Sequence, residues 1–95
     1  MRVQWSEHAR RQIVAVFEYV AEDRPNVAEE VLLGFLARVD LLAEFPEQGR
    51  LWRDGSRPDL REIIHESHRV VYRVEPGLVS ILSVRHTRME PEDEV

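Results

Sequence analysis

Between residues 60 and 86 three β-like runs follow one another with turns of only two or three residues between them, and this spacing restricts the fold more than any other feature. The middle run, His68-Arg69-Val70-Val71-Tyr72-Arg73-Val74, alternates long polar and apolar side chains as a half-buried strand does. Residues 60–66 precede it across a tight turn at Glu66-Ser67-His68. Residues 78–86, rich in Val, Ile and Leu, follow the Pro76-Gly77 turn. Turns this short join antiparallel neighbours, so a small antiparallel sheet centred on the middle run is expected. Val70, Tyr72 and Val74 share one face of that strand, and Arg69, Val71 and Arg73 the other. Burying a Val- or Leu-sized side chain is worth about 1.5–3 kcal/mol, so the first set should turn inward. Arg69 and Arg73 then leave the open face roughly 13 Å apart, a span suited to two successive phosphates or two acidic groups.

The first half supplies the layer on which that sheet can pack. Val3 and Trp5 alternate in a short strand, and Ser6 is a good N-cap with Glu7 in the first turn. Ala9, Ile13, Val16, Phe17 and Val20 recur at helical spacing, giving a helix over residues 6–23 that Arg24-Pro25 ends. Asn26 with Glu29 resembles a capping box, and Ala28, Val31, Leu32, Phe35, Val39 and Leu42 form a second apolar stripe. That helix should run to about Phe45, where Pro46 stops it. Gly34 beside the stripe costs about 1 kcal/mol relative to Ala, for which a close helix–helix approach is the expected compensation. Residues 50–59, with Gly55 and Pro58, read as a loop. The expected fold is α+β in the order β-α-α-β-β-β, a helical hairpin packed on a small antiparallel sheet. Residues 1–89 form one domain, and residues 90–95 an acidic, mobile tail.

Charge is unevenly distributed along this frame. The chain of 95 residues carries a net charge of −5. Residues 1–49 hold five arginines against nine acids, and residues 50–88 eight arginines against five acids. The second segment is therefore the part suited to a polyanion or an acidic partner. All basic residues are Arg, which genomic base composition explains more simply than selection for bidentate contacts. Without cysteine, neither disulfides nor thiolate metal sites can form. No apolar run approaches the roughly 20 residues that span a bilayer, and the N-terminus lacks a signal-peptide core. A cytoplasmic, non-membrane protein is the default.

Several residues carry both a functional and a plain reading. Arg69 and Arg73 could pair with Glu62, Glu66 or Glu75 across the sheet, and Arg61 with Glu62 could be a surface pair worth about 0–1 kcal/mol. His86 is equally a strand-end histidine or a general acid–base group. His65-Glu66-Ser67-His68 falls one residue short of the helical HExxH spacing and sits at a turn, so no metal site is expected. Trp5 is expected in the core and Trp52 as a loop anchor, rather than as platforms for bases.

Four segments then resemble the RelE/ParE superfamily of toxins from type II toxin–antitoxin pairs: Phe45-Pro46-Glu47-Gln48-Gly49-Arg50, Leu60-Arg61-Glu62, the run from His68 to Val74, and Ile81-Leu82-Ser83-Val84-Arg85-His86-Thr87-Arg88. The resemblance covers about residues 1–89, including the element order. It implies a cognate antitoxin, a hetero-oligomer with it, and no cofactor. In the RelE-like branch the implied activity is ribosome-dependent, metal-independent cleavage of messenger RNA. Arg69 would then stabilise the phosphorane, Arg61 add a phosphate contact, and His86 act as general acid or base. In the ParE-like branch the target is DNA gyrase, and the toxin is an inhibitor rather than an enzyme. RelE-like toxins usually place a tyrosine near the C-terminus and are strongly basic, whereas no tyrosine follows Tyr72 here and the pI is near 5.3. The resemblance is closer to ParE. Arg69, Arg73, Arg85, His86 and Arg88 are then the expected partner- and target-binding residues, with the hairpin and the Arg85 to Arg88 segment facing gyrase and the antitoxin covering sheet and hairpin. A degenerate toxin that only binds its antitoxin is the third possibility.

Overall fold

The computed structural model describes residues 1–89, so the acidic segment 90–95 lies outside the described residues. The elements run β1 (Arg2–Trp5), α1 (Glu7–Asp23), α2 (Ala28–Asp40), a 3-10 turn (Leu41–Ala43), β2 (Arg50–Leu51), β3 (Leu60–His65), β4 (His68–Glu75) and β5 (Leu78–His86). The strands form one sheet in the order β1-β5-β4-β3-β2, with β4 at its centre as expected. Two features depart from the expected sheet. Residues 50 and 51, expected in a loop, pair antiparallel with β3 as a fifth, edge strand. And β1 pairs in parallel with β5, so the sheet is mixed. The parallel pairing follows from how β1 is tied at both ends: the Arg2 N–H donates to the Gly77 carbonyl at 3.1 Å and the Ser6 N–H to that of Ile81 at 2.9 Å.

Ser6 is the N-cap of α1 and also its anchor to the sheet. Its hydroxyl accepts from the Ala9 N–H at 3.0 Å and donates to the Leu82 carbonyl at 3.3 Å. Ala9 and Ile13 bury the face that α1 turns to β5, with Val16 half-buried beside them. The second helix differs from its expected boundaries. Its N-cap is Val27 without a side-chain cap, and Asn26 lies one residue too early, in a turn where the Val27 N–H donates to the Arg24 carbonyl. Glu29 and Glu30 still favour the helix N-terminus through its dipole. The α-helix ends at Asp40, and the chain tightens into the 3-10 turn as Leu42 becomes fully buried. Gly34 marks no close approach, since a Cβ there would meet nothing within 4 Å.

The main core lies between the helices and one face of the sheet. Phe35, Val39 and Leu42 meet Ile63, Val70, Tyr72, Val79, Ile81 and Val84 there. The inward face of β4 is thus the one that the Val70, Tyr72 and Val74 alternation indicates. The opposite face is not bare. Trp52, 8% exposed, folds back on it with Leu60, Val71 and Leu82 as a second small core. Both tight turns use left-handed backbone: Gly77 has φ 74° after Pro76, and Glu66 has φ 53° in the β3–β4 turn. The β4–β5 ladder also contains a bulge. Val71 pairs with Ser83 but Tyr72 with Ile81, leaving Leu82 as the extra residue.

Candidate functional site

Three of the four histidines meet at one end of the sheet, on its helix side. The β3–β4 turn pairs His65 with His68, and the β4–β5 ladder pairs His68 with His86. The His68 and His86 ring centroids are 5.3 Å apart, and Phe35 of α2 presents its ring to His65 at 5.0 Å and to His68 at 5.9 Å. The His86 Nδ1 accepts the Arg88 N–H at 3.0 Å, which leaves the other ring nitrogen as its donor. Burial holds the His68 imidazole below its ordinary 6.5, and the facing His86 and His65 add to that. Among the described residues, no group of three His, Cys, Asp or Glu side chains has the arrangement to hold a metal ion.

Two grooves share His68. One, of about 580 Å³, runs between α1 and the distal half of β5. Its apolar lining is Ala15, Val16, Tyr19, Val20, Val84 and Met89, and among the described residues its ionisable lining on this face is basic: Arg24, His68 and His86. The other, of about 550 Å³, lies on the α2 side of His68 and includes Glu30, Gly34, His65 and Glu66.

At the opposite end of the helix-side face, Tyr72 organises the segment from Phe45 to Arg50. Its hydroxyl donates to the Pro46 carbonyl at 2.8 Å and accepts the Gly49 N–H at 2.9 Å. Arg61 donates to the Gly49 carbonyl at 2.7 Å and to that of Glu47 at 3.3 Å. Gly49 is buried against this tether, where a Cβ would lie 2.5 Å from the Tyr72 hydroxyl and 2.6 Å from the Glu62 carbonyl. Arg61, expected as a phosphate contact, thus clamps backbone carbonyls on the helix-side face. Burial raises the Tyr72 phenol above its ordinary 10, with the Gly49 hydrogen bond and Arg61 acting the other way.

On the arginine face two carboxylates are each shared by two arginines. The Glu62 side chain, 8% exposed, accepts from the Arg50 Nε at 2.7 Å and lies 3.0 Å from the Arg69 Nε. Asp59 pairs with Arg57 at 3.1 Å and with Arg73 at 3.6 Å. The hydrogen bond from Arg57 holds the Asp59 carboxyl below its ordinary range. The Arg53 guanidinium stacks 4.6 Å from the Trp52 ring, so the indole anchors the loop and offers no bare platform. Arg69 therefore takes the cross-sheet partner Glu62, one of its three candidates, while Arg73 takes Asp59, which was not among them.

Arg61, Arg69 and His86 do not share one site. Arg69 projects from the face opposite the helices, and Arg61 and His86 stand on the helix side against opposite ends of β4. Among the expected partner-binding residues, His86 lines the groove along α1, Arg85 borders it from a strand position paired with Arg69, Arg88 is exposed just beyond it, and Arg69 and Arg73 lie on the other face. Sequence reasoning did not find Tyr72, Gly49 or Gln12 as organising residues. Gln12 reaches from α1 to accept the Val84 N–H at 2.7 Å beyond the bulge.

This architecture corresponds to a known class of small α+β toxins. The family model for the ParE toxin of type II toxin–antitoxin systems matches residues 3–91. The toxin RelE2 of Caulobacter vibrioides is 34% identical over 90% of this chain and 93% of its own length. A Sinorhizobium fredii relative is 30% identical over 94% of this chain and 91% of its own. A solved structure of the chromosomal ParDE system from P. aeruginosa superposes with a TM-score of 0.76 at 20% identity, over 90% of this chain and 95% of that one. The chain belongs to the ParE toxin family, within the RelE/ParE superfamily. A type II toxin implies a cognate antitoxin as its partner. No helix among the described residues is long and apolar enough to cross a membrane.

Proposed function

We propose that the chain arrests growth by poisoning DNA gyrase and is silenced by its antitoxin. The observation that supports this reading is the separation of Arg61, Arg69 and His86. Metal-independent cleavage of RNA needs a phosphate-stabilising cation and an acid–base group within hydrogen-bond reach of one reacting phosphate. Here the sheet stands between Arg69 and His86, Arg69 is paired with Glu62, and Arg61 is bonded to the Gly49 and Glu47 carbonyls. The acidic pI also disfavours a surface that must compete for ribosomal RNA. The name of the RelE2 relative favours the second reading, ribosome-dependent cleavage of messenger RNA. Expression without the antitoxin separates the two. The expected outcome is filamentation, inhibition of supercoiling by purified gyrase at micromolar toxin, and translated messages that primer extension finds uncut. Cleavage at A-site codons with gyrase unaffected would reverse the assignment, and harmless expression of folded protein would identify a degenerate toxin.

A further inference from the structure

We propose that the groove between α1 and the distal half of β5 takes an apolar segment of the cognate antitoxin that presents a carboxylate to the His68–His86 pair, so that the complex tightens as pH falls from 8 to 6. The inference rests on the antitoxin pairing implied by the family and adds the place and chemistry of the contact. Charge complementarity selects the occupant. The chain has a net charge of −5, yet among the described residues no acidic one lines this groove, while Arg24, His68 and His86 do. Its remaining lining is largely aliphatic, and Tyr19 and Met89 stand 75% and 50% exposed beside it, so an apolar segment docking there removes substantial surface from water.

The histidines give the contact its pH dependence. His68 is faced by His86 of β5, His65 of β3, Arg24 at the end of α1, Glu30 of α2 and Glu66 of the β3–β4 turn, while Arg85 of β5 pairs with Arg69 on the other face. The two acids line the neighbouring groove on the α2 side, and among the described residues none lines the groove along α1. In the free chain burial, and secondarily the neighbouring imidazoles, disfavour the charged form of His68. A carboxylate delivered from the α1 side reverses that balance, and docking draws in a proton near neutral pH.

The probe is the full-length protein encoded by the reading frame adjoining that of the toxin, titrated calorimetrically into the intact toxin at pH 6 and pH 8. Affinity should be up to about tenfold higher at pH 6, the equivalent of raising one imidazole by one unit. Repeating the titration in buffers of different ionisation enthalpy should reveal proton uptake. The double variant H68Q/H86Q should lose both effects while keeping its circular dichroism spectrum. Ala15 is exposed in the groove, so Ala15→Glu should fold and yet bind at least tenfold more weakly. Tight binding that is independent of pH, or unchanged in these variants, leaves the antitoxin pairing intact and overturns the docking proposal. A folded toxin that does not bind the adjoining protein at any pH overturns the pairing and the proposal with it. Concentration-dependent dimers abolished by Ala15→Glu would assign the groove to a second copy of the chain and also overturn it.

Discussion

At the scale of single residues, polar side chains bridge elements that the apolar pattern alone would leave loosely joined. Tyr72 is fully buried, and its hydroxyl serves the Pro46 carbonyl and the Gly49 N–H. Tyr72→Phe strands both groups, and urea unfolding should register a loss of about 1–3 kcal/mol. Nothing in the alternation of residues 68–74 distinguishes this tyrosine from an ordinary core aromatic. The signal available in the chain was the pairing of a tyrosine on the inward face with the Pro46-Glu47-Gln48-Gly49 turn, and only tertiary contact joins them. His68 has the opposite character. Because its folded-state protonation is disfavoured relative to the unfolded chain, its contribution to stability is complete above about pH 7. That contribution declines as pH falls through the unfolded value of 6.5 towards the lower folded one. Urea midpoints measured at pH 7.5 and 5.5 should therefore differ less in His68→Gln than in the wild type.

At the scale of elements, local sequence described the helices and tight turns well and their fine boundaries less well. The Ser6 cap, the two apolar stripes and the Pro76-Gly77 turn each rest on chemistry within a few residues, and each appears where expected. The end of α2 differs from its expected position because burial of Leu42, not Pro46, decides where the helix tightens. Gly34 is a clear case of a local cost without a tertiary compensation. It is exposed, it touches nothing that a methyl group would disturb, and it lies inside α2. Gly34→Ala should raise stability by about 0.5–1 kcal/mol, seen as a higher melting temperature with an unchanged fold. The short β2 has no local signature because two residues carry no period. It is held by its ladder to β3 and by the Arg50–Glu62 pair.

At the scale of the whole molecule, the decisive event is one extra residue in β5. The Pro76-Gly77 turn pairs Glu75 with Leu78, and an uninterrupted ladder from there would place His68 opposite Arg85. His86 would then fall on the same face as Arg69, where the two could have served one phosphate. The bulge at Leu82 shifts the register by one, so His68 meets His86 and Arg69 meets Arg85. A one-residue shift exchanges the faces of everything beyond it, because side chains in a strand alternate with a period of two. The shift is supported from outside the strand, by Ser6 at the Leu82 carbonyl and Gln12 at the Val84 N–H. By itself the sequence determined the α+β class, the helical hairpin, the central strand with its inward valines, and the toxin superfamily, because these depend on short-range periodicity and ordered motifs. Only the tertiary structure decided which arginines are bound to acids and which face His86 occupies. Those depend on register and on contacts between residues distant in the chain, about which local spacing carries no information.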